Sequence, residues 1–155
     1  MIVAAIPAFN EEATIARVVI GAGKYVDKVL VCDDGSKDMT GEIAERLGAE
    51  VVRHERNLGK GAAMRSLFDS AKRLGADVIV TIDADGQHDP DEIPKLVELV
   101  LSGKADIVIG SRSLARSEMP RYRRIGRRVL DRATAAAGHV KVADTQSGFR
   151  AYSKN

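Results

Sequence analysis

Five short apolar runs rich in Val and Ile alternate along the chain with segments of helical period, and few architectures accept that order. The runs are Ile2–Ile6, Lys28–Cys32, Glu50–Arg53, Val78–Ile82 and Asp106–Ile109. Between them, Glu11–Ala22, Thr40–Leu47, Gly61–Leu74 and Asp91–Leu101 carry apolar residues at helical spacing. Continuous apolar strands separated by amphipathic helices predict an α/β fold, a mostly parallel central sheet with helices on both faces. Gly48, Gly75 and Gly103 follow three of the helical segments, where left-handed caps are expected, and Pro90 after Asp89 opens the fourth. Beyond Gly110 the pattern changes. Arg121–Ala137 reads as a basic amphipathic helix, and Asp144–Tyr152 as a loop entering a last short strand.

A length of 155 residues suits one domain. The expectation is a single catalytic domain over residues 1–155 that is incomplete at its C-terminal end, because the chain stops just after its last strand. Hydrophobic residues at 45% and charged residues at 30% place it among ordinary globular chains rather than disordered or fibrous ones. The net charge of +2 says little about partners. Locally, however, eight arginines fall between Arg112 and Arg132 against only Glu118 and Asp131, a patch suited to an anion. A nucleic acid is not expected, since aromatic residues are 4% and no recognition motif is present. The single cysteine, Cys32, cannot close an internal disulfide, so nothing points to an oxidising compartment. No apolar run is long enough to span a bilayer, so membrane contact is expected to be peripheral.

In open α/β sheets, ligands bind beyond the carboxyl ends of the strands. Four polar clusters are predicted there: Pro7-Ala8-Phe9-Asn10-Glu11-Glu12, Asp33-Asp34-Gly35-Ser36, Asp83-Ala84-Asp85-Gly86-Gln87-His88 and Gly110-Ser111-Arg112. Asp83 and Asp85, alternating at a strand end, can turn oxygens toward one point, and Mg2+ or Mn2+ seeks such oxygens together with substrate phosphate. Gln87 could add a carbonyl oxygen. The competing reading is a capping turn, with Asp89 as the helix cap. Asp33 and Asp34 are either a turn with a helix cap or the partner of a base or ribose. Glu11 could be only a first-turn acid favoured by the helix dipole. Asn57-Leu58-Gly59-Lys60-Gly61 places a lysine at a helix start, where amides attract phosphate, but it lacks the spacing of a P-loop. His54 and His139 have no partner pattern and read as surface or structural. Neither a zinc-spaced Cys/His set nor a G-x-S-x-G elbow occurs.

Taken in order, these motifs, with Asp144-Thr145-Gln146-Ser147-Gly148-Phe149-Arg150, resemble the glycosyltransferase family 2 enzymes of GT-A fold. The nearer match is the branch of dolichyl- and polyprenyl-phosphate mannose or glucose synthases, and the likeness spans nearly the whole chain. The resemblance implies a nucleotide-diphosphate sugar donor of GDP-mannose or UDP-glucose type, bound by Pro7, Ala8, Phe9, Glu11, Cys32, Asp33, Asp34, Lys60, Asp83, Ala84 and Asp85. It implies Mg2+ or Mn2+ on Asp83, Asp85 and Gln87, and an acceptor phosphate on Arg112, Arg123 and Arg127. Asp85 and Arg112 are then the catalytic candidates, while Asp144 and Gln146 close the sugar side. A polyprenyl or dolichyl phosphate is already anionic, so it can attack the anomeric carbon with inversion and without a strong general base. The Gln-x-x-Arg-Trp motif of many relatives with hydroxyl acceptors is absent, and the chain contains no Trp, which favours a phosphate acceptor. The implied location is the cytoplasmic face of a membrane. Two rivals stand beside this reading: a sugar-nucleotide nucleotidyltransferase, and a non-catalytic module binding nucleotide sugars or anionic membranes.

Overall fold

A computed structural model describes residues 1–110 and 148–154. The strands are β1 (Ile2–Ala8), β2 (Lys28–Asp33), β3 (Glu50–Arg53), β4 (Val78–Thr81), β5 (Ile107–Ile109) and β6 (Arg150–Ser153). The helices are α1 (Ile15–Gly23), α2 (Thr40–Arg46), α3 (Lys60–Arg73) and α4 (Ile93–Leu101), the last preceded by a short 3₁₀ turn over Pro90–Glu92. Each expected strand and helix therefore forms, with ends shifted by a few residues. The expected basic helix over Arg121–Ala137 lies outside the described residues.

The six strands lie in the order β3-β2-β1-β4-β6-β5. β1 pairs in parallel with both β2 and β4, and β2 with β3. β6 departs from the parallel expectation: it enters antiparallel between β4 and β5, with Arg150 opposite both Thr81 and Ile109. The chain winds outward from β1 to β3 and then crosses back to β4. Right-handed crossovers in opposite directions put their helices on opposite faces.

Strand alternation sorts the core accordingly. Ala4, Ile6, Val31, Val78, Val80 and Ile82 pack with residues of α1 and α4, such as Ile15, Val18, Leu96 and Val97. Val3, Ala5, Leu30 and Cys32 point the other way, onto Ala63, Leu67 and Ala71 of α3. Both faces being covered explains why the strands read as unbroken apolar runs. The strand order reverses beside β1, and a crevice opens at the carboxyl ends of β1, β2 and β4.

Candidate active site

The loop after β1 leaves the sheet through Asn10, a non-glycine residue in the left-handed region at φ 54°. Asparagine tolerates this conformation better than most residues. A lattice of hydrogen bonds to the loop after β2 holds it there. The Asn10 amide donates to Ser36 Oγ at 2.9 Å, and Asn10 Oδ1 accepts from the Lys37 amide at 2.9 Å. The Glu11 amide donates to Thr40 Oγ1 at 2.8 Å, and Glu12 Oε2 accepts from the Met39 amide at 3.1 Å. Phe9, 41% exposed, and Glu11 are thereby presented to the crevice.

After β2, the two adjacent acids part company. Asp33 ends the strand on the α1/α2 face, where Oδ1 accepts from the Ser36 amide at 2.9 Å. Its other oxygen lies so close to Gly41 that a Cβ there would meet it at 2.5 Å. Asp34 turns toward α3, buried, with Oδ1 accepting from the Leu58 amide at 3.0 Å and Oδ2 from the Gly59 amide at 2.8 Å. His54 Nδ1 lies 2.6 Å from Asp34 Oδ1. Burial would push the Asp34 carboxyl up, but the Leu58 amide, His54 and the Gly59 amide outweigh it and hold the group below the ordinary carboxylate range. Gly35, at φ 74°, is required here, because a Cβ would run into the backbone of Arg56 and Asn57.

Asp83 and Asp85 follow β4. Asp83 Oδ1 pairs with Lys60 Nζ at 2.6 Å, and Asp85 Oδ1 accepts from the Gln87 amide at 2.9 Å. Gly148 lies flat against Asp83: a Cβ on it would overlap the carboxylate. Thr81 Oγ1 fixes that approach by donating to the Gly148 carbonyl at 2.8 Å. The tucked-in β6 therefore walls the Asp83 side of the crevice.

These elements enclose a cavity of about 340 Å3 lined by Pro7, Ala8, Phe9, Glu11, Asp34, Asn57, Gly59, Lys60, Ala63, Asp83, Ala84 and Asp85. Nine of the eleven residues expected to bind the donor are in that lining. Cys32 and Asp33 are the two that are not. Cys32 is fully buried beneath α3, and burial, with the Asp34 and Asp33 charges, pushes its thiol up to about 12. Gln87 is exposed outside the lining, and it is its backbone amide, not its side chain, that meets Asp85. His88 is buried and tilted against Phe149, with ring centroids 5.3 Å apart. Arg112, Arg123, Arg127, Asp144, Gln146 and His139 lie outside the described residues. His54, read from the sequence as surface or structural, is a buried partner of Asp34. Its only sequence signal was its place four residues before Leu58 in the loop that closes over Asp34.

Among the described residues, no group of three His, Cys, Asp or Glu is placed to hold a metal ion. Two carboxylates lining one cavity nonetheless fit a divalent cation that completes its shell with substrate oxygens. A larger groove of about 660 Å3 lies at the opposite ends of β2 and β3, lined by residues such as Val19, Ile20 and Leu47. Its Lys28 and Glu50 pair with each other at 3.7 Å, and no cluster of acids converges there as in the crevice.

The profile of Glycosyl transferase family 2 matches residues 3–155. The chain belongs to that family. It is 41% identical over 152 residues to an uncharacterized protein of Methanocaldococcus jannaschii, covering 96% of this chain and 63% of that one. It is 36% identical over 171 residues to the UDP-N-acetylglucosamine–dolichyl-phosphate N-acetylglucosaminyltransferase of Methanococcus voltae, covering 97% of this chain and 68% of that protein. Among solved structures it resembles glucosyl-3-phosphoglycerate synthase of Mycobacterium tuberculosis, crystallised with Mn2+, UDP-glucose and phosphoglyceric acid. The identity is 30% and the TM-score 0.76, with 99% of this chain and 56% of that one covered. The chain thus spans roughly three-fifths of the length of these proteins. The GT-A fold expected from the motifs is the fold observed.

Proposed function

We propose that this chain carries the donor site of a glycosyltransferase that moves a hexose from a nucleotide-diphosphate sugar to a polyprenyl or dolichyl phosphate, with inversion and with Mg2+ or Mn2+. The observation that carries the reading is the convergence of Asp83 and Asp85 with Phe9, Glu11, Asp34 and Lys60 on one cavity at the strand-order switch. Phe9 offers an exposed ring to a base, and Asp34 offers a carboxylate oxygen to a base or ribose N–H or O–H. Lys60, at the first turn of α3, can exchange Asp83 for the diphosphate. Asp83 and Asp85 would hold the cation. When bound, the cation neutralises charge on the departing nucleoside diphosphate. Gly148 keeps Asp83 aimed into the cavity, and β6 shields that side from water.

The acceptor assignment draws on the dolichyl-phosphate relative and on the arginine-rich segment, with Arg112, Arg123 and Arg127 as the phosphate ligands. A lipid acceptor would be met at the cytoplasmic membrane surface; among the described residues no helix is long and apolar enough to cross a bilayer. One specific observation favours a second reading. The M. tuberculosis likeness was crystallised with phosphoglyceric acid, so a small phosphorylated acid is the competing acceptor.

Calorimetric titration of UDP-glucose, UDP-N-acetylglucosamine and GDP-mannose, with Mn2+ and with EDTA, tests the donor site in wild type and Asp85→Ala. Metal-dependent binding of a donor, lost in the variant, is the expected result. Binding that ignores both metal and substitution would sink it. Partition of labelled sugar between lipid and water, with both acceptors present, separates the two acceptor readings.

A further inference from the structure

If the cavity takes a nucleotide, the state of Asp34 decides which base it prefers. Oδ1 accepts from His54 Nδ1 at 2.6 Å and from the Leu58 amide at 3.0 Å, and Oδ2 accepts from the Gly59 amide at 2.8 Å. A carboxylate has about four acceptor positions. Three are therefore occupied by the protein itself, and one remains, on Oδ2, in a side chain that lines the cavity. An ionised carboxylate only accepts, so Nδ1 of His54 carries the hydrogen. Nε2 faces the Ser66 hydroxyl at 2.9 Å, with Cys32 Sγ at 3.7 Å beside it. The His54 side chain is 11% exposed. Ring, tautomer and carboxylate are locked together. Ser66-His54-Asp34 has the spacing of a nucleophilic triad, but Ser66 lies inside α3, where helical hydrogen bonds occupy the amides an oxyanion site needs. What the chain of contacts accomplishes is to hold Asp34.

Beside it, Asn57 Oδ1 accepts from the Gly59 amide at 3.0 Å, which leaves the Asn57 NH2 as its donor to the cavity it lines. At Asp34 and Asn57 the cavity thus presents one acceptor next to one donor.

We propose that this single open acceptor makes the site select uridine over guanosine nucleotides, and that His54 is the residue that sets the selection. The inference rests on the nucleotide-sugar reading of the cavity. Uracil presents one imide N–H flanked by carbonyls, and Asp34 and Asn57 match the N–H and one carbonyl. Guanine presents the same N–H and carbonyl, but adds an amino group beside the N–H. A carboxylate with both oxygens open accepts from both. Here His54 and the Leu58 amide close Oδ1, so the guanine amino group finds no acceptor on Asp34 beside the one its N–H takes. One donor stranded in a pocket costs about tenfold in affinity. His54 is a positioning residue: it need not touch the nucleotide, and acts by closing an oxygen of Asp34.

Calorimetric titration of UDP and of GDP, each with Mn2+, on wild type, His54→Ala and His54→Asn tests this. Wild type should bind UDP about tenfold or more tighter than GDP. His54→Ala opens Oδ1 and should narrow that ratio to about threefold or less, whereas a purely structural role would weaken both nucleotides alike. In His54→Asn the side-chain amide can replace Nδ1 as the donor and should restore most of the preference. Should the alanine variant fail to fold, the wild-type ratio and the asparagine variant still decide. Equal binding of the two nucleotides by wild type, or an unchanged ratio in a folded His54→Ala, overturns the inference and leaves the donor site standing. Absence of binding by either nucleotide overturns the donor site and the inference with it.

Discussion

The chain has two acid pairs at strand ends, and the fold treats them oppositely. In Asp33-Asp34 the protein fills most of the carboxylate acceptor positions. One caps a turn against α2, and the other ties two amides and a histidine beneath a loop. In Asp83-Ala84-Asp85 the carboxylates are held, among the described residues, by a lysine side chain, 59% exposed, and one turn amide. Placement explains the contrast. Asp33 ends β2 facing α2, whereas Asp34, just past the strand, turns toward α3, so the two carboxylates part. Asp83 and Asp85 lie past the end of β4, in the loop and turn that follow it, and both line the one cavity. Acids whose acceptors the fold mostly fills have little left to offer a ligand, while acids held by replaceable partners are available to one.

The largest effect expected from this contrast is on activity. Asp85→Ala should lower sugar transfer about 10²–10³-fold, the scale of removing one electrostatic group from a transition state. Its melting temperature should move by no more than about 2 °C, as for a partly exposed side chain with one local hydrogen bond. Asp34→Ala should do the reverse to stability. It strands the Leu58 amide and a ring N–H and leaves the Gly59 amide only Asn57 Oδ1, a loss of about 2 kcal/mol, or a fall of about 4–8 °C in melting temperature. Parallel thermal melts and transfer assays check both. If the Asp85 variant melts as low as the Asp34 variant, the two pairs are not different in kind.

A smaller effect sharpens the comparison. Lys60→Met removes the cation that neutralises Asp83 at 2.6 Å. Titration with Mn2+ in the absence of nucleotide should then show affinity raised about two- to fivefold, the range of a solvent-exposed ion pair. Nucleotide affinity should fall in the same variant, because the lysine no longer reaches the diphosphate. Mn2+ affinity that falls instead would mean that Lys60 organises the acid site rather than holding it in reserve.

Periodicity carried most of the architecture in the sequence. Val/Ile runs and helical spacing located five strands and four helices, because both faces of the sheet are buried and every strand is apolar throughout. The position of β6 was not legible. Arg150–Ser153 carries no signal for an antiparallel strand slipping between β4 and β5, and its fit depends on Gly148 passing Asp83 and Phe149 passing Gly110. The lining of the cavity was legible at several motifs that follow a strand end, as at Asp83 and Asp85. Cys32 and Asp33 lie outside the lining for different reasons: Cys32 is buried deeper beneath α3, and Asp33 ends β2 on the opposite face, against α2. His54 escaped because its partner lies twenty residues back, and only the parallel pairing of β2 with β3 brings the two together.

The smallest effect is a pH dependence, and its sign follows from which state binds more protons. Asp34 in the folded chain stays ionised below the ordinary carboxylate range, because the Leu58 amide, His54 and the Gly59 amide overcome the opposing cost of burial. In the unfolded chain it titrates near its usual value of about 3.9. Between those two values the unfolded state holds more protons, so stability rises with pH. The stabilisation from Asp34 is complete above the unfolded value and disappears as pH falls through the folded one. Asp38 and Asp77 are also held low, by Thr40 and by the chain's amino terminus respectively, so the acid loss of wild type is shared among several groups. A difference measurement isolates Asp34. Asp34→Asn replaces an acceptor by a neutral amide against the same two backbone donors, and urea midpoints should show it less stable than wild type at pH 6. That gap should be constant down to about pH 4 and close below it, since wild type there loses the charge the variant never had. A gap that stays the same at pH 3 would mean that the hydrogen bonds at Asp34 do not depend on its charge. The carboxylate would then be an acceptor of shape alone, and the contrast with Asp83 and Asp85 would rest on geometry without electrostatics.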